Sequence, residues 1–297
     1  MERIFIYFPI ILVLVIFIVL MSVLQFYRKV NRFKKRRSPF THSILRSPGE
    51  SLIKKLDTIN VEINAYIFSL VIIPVLMYSI PFSISYYKGK NLSVIEVYAS
   101  AIAGLVFITY LLFRIAKLLN ERKVTRLGYE GEVAVGQELN QLMLKGYHVY
   151  HDFPTDNLNI DHIIVSQSGV FAIETKAHSK PTARSFVENA TVSYNGRILL
   201  FPQGPDLQTI EQAKRQASWL TNWLYRTVGE QVIVRPVVAL PGWYVKRTSP
   251  DGIPVVNPKQ FASLFKHISP RFLSAEMITR ITQQLEQKCL DTEPYPV

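Results

Sequence analysis

Between Arg3 and Arg28 the sequence runs for 24 residues without a charge, mostly Ile, Leu, Val and Phe. A further 25 uncharged residues lie between Glu62 and Lys88, interrupted by Pro74 and Pro81, and 17 lie between Glu96 and Arg114. Crossing the hydrocarbon of a bilayer takes about 20 apolar residues, with a range of roughly 17–25. Three spans are therefore predicted, over about 4–27, 63–87 and 94–116. Prolines are tolerable in such helices because neighbours re-satisfy the freed carbonyls. A cleaved signal peptide is the alternative for the first stretch. It lacks a basic n-region beyond Arg3, and no small-x-small site follows the apolar run.

Loop charge sets the orientation. The first stretch is followed by RKVNRFKKRR (Arg28 to Arg37) and then Lys54 and Lys55, so the loop 28–62 is basic. The third is followed by Arg114, Lys117, Arg122, Lys123 and Arg126. Basic loops stay on the cytoplasmic side. Three spans with the N-terminus outside satisfy both clusters, whereas two spans strand one. The expectation is a multi-pass protein of a bacterial inner membrane. Residues 1–120 anchor it in the lipid bilayer, and residues 121–297 form a cytoplasmic domain.

The overall charge of +12 is unevenly placed. Residues 1–119 hold 15 of the 34 Lys and Arg and 5 of the 22 Asp and Glu, a net of +10; the other 19 and 17 leave +2. The basicity therefore does not argue that the second part binds nucleic acid. FKKRR reads as a topology signal, compatible with attraction to anionic lipid, with nucleic-acid contact as the alternative. The lone Cys289 excludes an intrachain disulfide and a multi-thiolate zinc site.

From about Leu127 the composition is that of a globular domain. Val133, Val135, Leu139, Leu142 and Met143 recur at roughly helical spacing. YHVYHDF (147–153), IDHIIV and GVFAIETK read as strands, the last two joined by the turn signal SQSG. VSYNGRILLF reads as a hairpin around Asn195-Gly196. A helix over about 206–225, a buried strand in QVIVRPVVALP and helices near 258–267 and 274–288 complete the order. This is a mixed α/β domain around a small sheet flanked by helices. There is no G-x-S-x-G elbow and no P-loop.

The stretch IDHIIVSQSGVFAIETK carries the chemistry. Side chains alternate faces along a strand, so Glu174 and Lys176 share one. A two-residue loop with Gln167-Ser168 at its tip sets Ser166 against Gly169 and Asp161 against Glu174. A four-residue loop gives the same pairing and a three-residue loop breaks it. Like charges opposite one another destabilise a sheet; a raised pKa or a cation between them relieves this. Hard divalent ions take carboxylate and carbonyl oxygens. Asp161, Glu174 and the Thr175 backbone carbonyl form a half-shell for Mg²⁺ or Mn²⁺, with Lys176 placed for water or phosphate. That is equipment for metal-assisted phosphodiester hydrolysis. A surface ion pair of Lys176 with either acid is the plainer alternative. His162 points to the other face and reads as a hydrogen-bonded structural histidine; Trp219 and Trp223, at i and i+4, read as core.

GYEGE, NIDHIIV, GVFAIETK and EQAKRQASWL, in that order over residues 126–241, resemble the nuclease-related domain (NERD) family. That family is grouped with the PD-(D/E)xK nucleases, which implies a restriction-endonuclease-like fold and DNA as partner. Carried over by resemblance, Asp161 is a metal ligand and Glu174 and Lys176 are the Glu and Lys of E-x-K. Glu132 is the acid of the first helix, near or within the metal site, and Gln212 is the polar residue of the later helix. Glu132 otherwise reads as a carboxylate favoured by a helix N-terminus. The family's Asn-Pro before the Gln helix is Gly204-Pro205 here, with a longer spacer. The expected function is Mg²⁺-dependent hydrolysis of DNA by Asp161, Glu174, Lys176, Glu132 and Gln212. The alternative is a nuclease-fold module of little or no turnover that binds nucleic acid or scaffolds at the membrane.

Overall fold

The computed structural model describes residues 22, 43–89, 93–156, 159–180, 190–267 and 273–290. Two long helices come first, α1 (Glu50–Tyr87) and α2 (Val94–Met143). Then follow β1 (His148–Pro154), β2 (Asn159–Ser166), β3 (Gly169–Thr175), β4 (Thr191–Tyr194), β5 (Leu199–Phe201) and β6 (Gly204–Asp206). Helix α3 (Thr209–Val228), β7 (Val234–Ala239), β8 (Tyr244–Arg247), β9 (Val255–Val256), α4 (Phe261–His267) and α5 (Ala275–Cys289) complete the order.

Among the described residues, two helices rather than three are long and apolar enough to cross a membrane, and these are α1 and α2. The first expected span, 4–27, lies outside the described residues except for Ser22. Large apolar side chains stand out along both helices, among them Ile67, Val71, Leu105 and Phe113. Both helices overrun their expected bounds. Helix α1 begins at Glu50, inside the expected loop 28–62, where Glu50 and Lys54 form an i,i+4 pair at 3.4 Å. The boundary drawn at 120–121 falls inside α2. Gly128 and Gly131 do not break that helix, and Arg126 pairs with Glu130 at 2.8 Å.

The chain forms two compact units. In the one containing 57–123, Ile59, Ile63 and Leu118 pack together, and Arg114 donates to the Tyr66 hydroxyl. The other comprises Phe40–Leu56 and Val124–Tyr295. Its main sheet has the order β1-β2-β3-β7-β9, antiparallel over the first three strands and parallel from β3 through β7 to β9. A second sheet has the order β6-β5-β4-β8. The architecture is mixed α/β, with two small mixed sheets flanked by helices.

Both faces of the main sheet are covered, which is why β2 and β3 read as near-continuous apolar runs. Ile163, Val165, Val170 and Ala172 pack against Ala217, Leu220 and Leu224 of α3 and Ile281 and Leu285 of α5. Ile164, Phe171 and Ile173 face Val135, Leu139 and Leu142 of α2 and Phe261 and Phe265 of α4. Burying each such side chain contributes about 1.5–3 kcal/mol relative to exposure. Trp219 and Trp223 pack against the first of these clusters, as expected.

The helix expected over 206–225 starts three residues late. Gly204, with φ +139, and Pro205 hold a short strand instead, and the Asp206 side chain accepts the Gln208 and Thr209 N–H groups where α3 begins. The helix ends on Gly229 in left-handed conformation, with its N–H bonded to the Tyr225 carbonyl.

Candidate active site

Ser166 pairs with Gly169, so β2 and β3 are joined by the two-residue turn Gln167-Ser168. Gly169 has φ +120, a conformation open to glycine and strained for other residues. The ladder runs to His162 opposite Ile173, beyond which the Asp161 side chain takes the Thr175 N–H. On the other side, His151 opposite His162 and Phe153 opposite Ile160 set Asp152 against Asp161. Asp152, Asp161 and Glu174 thus lie at the same end of three neighbouring strands.

Each acid has its own surroundings. Asp161 is partly buried, and its Oδ2 accepts the Thr175 N–H at 2.7 Å. Glu174 is buried, and its Oε2 accepts from Gln216 Nε2 at 2.7 Å. Glu132, on α2, is buried and its Oε2 has no hydrogen-bond partner. Burial is the largest influence on all three carboxyls and raises each pKa. Their mutual repulsion adds to it: the Asp161 charge raises Glu132 and Glu174, and Asp152 raises Asp161 and Glu132. The Thr175 N–H and Lys176 oppose the rise at Asp161, and Gln216 and Lys176 oppose it at Glu174.

Lys176 follows β3, with its N–H on the Ala239 carbonyl at 3.0 Å. Its side chain is about one-third exposed, and Nζ lies 4.0 Å from Asp206 Oδ2. Asp206 also accepts from the Gln208 and Thr209 N–H groups and the Thr209 hydroxyl. Burial works against its ionisation, but those hydrogen bonds and the Lys176 charge outweigh it and hold the carboxyl below its ordinary range.

Asp161, Glu174, Thr175, Lys176 and Glu132 therefore lie in one neighbourhood. Gln212 does not reach Glu174: the glutamine that does is Gln216, one turn further along α3. The buried stripe Ala213, Ala217, Leu220 and Leu224 has helical spacing and includes Gln216, while Gln212 is only partly buried. That stripe is visible in the sequence and distinguishes the two glutamines. Asp206 and Asp152 were also missed, the first through its place just before a helix. Asp152 carries no local motif, because Arg46 and Ser51, which bond it, lie 106 and 101 positions away.

His162 is fully buried and hydrogen-bonded, Nδ1 to His151 Nδ1 at 2.8 Å, and His151 Nε2 lies 2.9 Å from Asn140 Oδ1. It stands apart from the acids as a structural residue.

The donor set suits a hard divalent ion in kind: buried carboxylates that repel one another, one of them with an unpartnered oxygen. Among the described residues, no three His, Cys, Asp or Glu side chains gather in the geometry of a metal shell.

A small mixed sheet thus carries Asp161 and Glu174-x-Lys176, and a glutamine of the following helix bonds Glu174. Residues 127–241 match the family described as the nuclease-related domain (NERD). No curated protein and no solved structure matches the chain.

Proposed function

We propose that this protein is a membrane-anchored nuclease that hydrolyses DNA phosphodiester bonds with Mg²⁺ or Mn²⁺. The supporting observation is the proximity of Asp161, Glu174 and Lys176, tied to α3 by Gln216, within the matched segment. Asp161, Glu174 and the Thr175 carbonyl would hold the ion, with Glu132 as the adjoining acid. Such an ion supplies Lewis acidity and a more acidic bound water. Lys176 offers a positive charge for the phosphate oxygens as negative charge builds on them. Asp206 holds that ammonium at the rim, and Gln216 fixes the orientation of the Glu174 carboxylate. A restriction-endonuclease-like fold agrees with this layout.

Helices α1 and α2 and the flanking basic residues support a multi-pass anchor in a bacterial inner membrane, with the domain in the cytoplasm. Resistance of the full chain to alkaline extraction, and cytoplasmic protease access to the domain, test that placement. The enzymatic reading is tested by incubating the full chain in detergent with plasmid and single-stranded DNA in Mg²⁺ or Mn²⁺. Cleavage is expected, and Asp161→Ala and Lys176→Ala should abolish it. Cleavage that survives both substitutions would sink the claim.

A second reading has its own support. Residues 120–297 carry a net charge of only +2, where a DNA enzyme usually presents a basic groove. A scaffold that kept the fold without turnover would show no Mn²⁺ affinity sensitive to Glu174→Ala.

A further inference from the structure

The matched segment begins at residue 127, yet the compact unit that holds the candidate site also includes Phe40–Leu56. The described part of that stretch is built into the site. Asp152 is 1% exposed and has φ +47, a left-handed backbone rare for a residue with a side chain. Four of the five hydrogen bonds to it come from this distant stretch. Arg46 Nη1 donates to Oδ2 at 3.0 Å and to the Asp152 carbonyl at 3.1 Å. Ser51 donates from N–H to Oδ2 at 2.9 Å and from Oγ to Oδ1 at 2.6 Å. The fifth comes from Asn159 Nδ2, to Oδ1 at 3.1 Å. Asp152 thus also serves an otherwise unpaired N–H of the first turn of α1.

Between those two anchors the segment lies closely on α2. A Cβ at Gly136 would stand 2.5 Å from Pro48 Cγ, and one at Gly49 would stand 2.7 Å from Tyr129. The segment therefore holds Asp152, which neighbours Asp161 across β1 and β2, and packs on the stretch of α2 that carries Glu132.

We infer that residues 46–51 are a working part of the candidate site, with Arg46 and Ser51 as positioning residues that hold Asp152 in its place beside Asp161. Arg46 also commits Asp152 to this clamp, so that the charge beside Asp161 is balanced from outside the family segment. The inference rests on the metal-site reading above and extends it to residues that the family segment does not contain.

The sign of one effect tests it. By charge alone, replacing Arg46 with a neutral residue removes a cation near the site and tightens Mn²⁺ binding. Lost positioning weakens it, and removing an outer partner of a metal site costs about 10- to 100-fold in affinity. The experiment is Mn²⁺ titration by electron paramagnetic resonance of the full chain in nanodiscs, with hydrogen exchange of peptides covering 43–52 and 148–161. Wild type, Arg46→Gln, the milder Ser51→Ala and Glu174→Ala are compared. The expected result is protection of 46–51 in wild type, lost in Arg46→Gln and Ser51→Ala, with Mn²⁺ affinity about tenfold weaker in both. Free exchange of 46–51 in wild type would overturn the inference. So would Mn²⁺ binding that Glu174→Ala abolishes but the two clamp variants leave unchanged or tighter. Binding that Glu174→Ala leaves intact would instead overturn the metal site on which the clamp depends.

Discussion

Gln216 donates from one amide nitrogen both to Glu174 Oε2, at 2.7 Å, and to the Asn159 carbonyl, at 3.1 Å. One buried side chain of α3 thus links the start of β2 to the acid at the end of β3. Gln216→Ala strips a buried carboxylate of its donor, which costs about 1–3 kcal/mol of stability. DNA cleavage should fall at least tenfold, by an order-of-magnitude estimate for a lost metal-ligand partner. Gln212→Ala, on the partly buried side, should change stability by less than about 0.5 kcal/mol. Urea melts and cleavage rates of the two variants, side by side, decide between them.

The acid cluster has a definite pH signature. Glu132, Asp161 and Glu174 all have raised pKa values in the fold, so the native state keeps protons that the unfolded chain releases. Their contribution to stability is therefore greatest at low pH and declines as pH rises above the ordinary carboxylate range. A bound divalent cation relieves the same repulsion. Added Mg²⁺ or Mn²⁺ should raise the melting temperature more at pH 8 than at pH 5.5. An equal shift at both values would count against the acids as the binding groups.

The histidine pair has the opposite sign. Burial lowers the pKa of His151 to about 4, and burial and the neighbouring His151 hold that of His162 well below its ordinary value. Their contribution is complete above the unfolded pKa of about 6.5 and declines as pH falls toward the folded values. With Asn140 Oδ1 as acceptor, His151 carries its proton on Nε2 and His162 on Nδ1. Nitrogen NMR of the imidazoles should find both neutral at pH 5.5, in those two tautomers. A protonated ring at that pH would refute the arrangement.

Asp206 serves a helix and a lysine at once. Asp206→Ala removes three hydrogen bonds at the start of α3 and the nearest carboxylate to Lys176. Loss of a cap costs about 0.5–2 kcal/mol. Asp206→Asn keeps the acceptor oxygen and should recover part of the stability, yet leave Lys176 without its counter-charge. Cleavage that stays impaired in Asp206→Asn while stability recovers would separate the two roles.

Much of the main sheet was legible because its signals are local. Alternation and a two-residue turn suffice to set the register from Ser166–Gly169 to His162–Ile173, one step short of Asp161 and Glu174. The second sheet was legible only at its hairpin: β5, β6 and β8 have 3, 3 and 4 residues, too few to show a period. The family motif alone does not separate Gln212 from Gln216; the apolar stripe of α3, in which Gln216 falls, does. The Arg46–Asp152 pair spans 106 positions and left no trace in either neighbourhood. Sequence patterning reports which face a residue occupies, and such a contact depends on where two distant faces meet.

The same 106-residue separation has a consequence for how the protein is made. The stretch around Arg46 leaves the ribosome before α1 and α2, and its partner strand only after them. At about 5–20 residues per second, the interval is on the order of 5–20 s. For that time Arg46 and Ser51 have no Asp152 to bind, and the domain has no complete edge at β1. Final assembly therefore waits for both apolar helices to be synthesised. A pause or mistargeting at that stage would strand an unfinished domain rather than release a finished one.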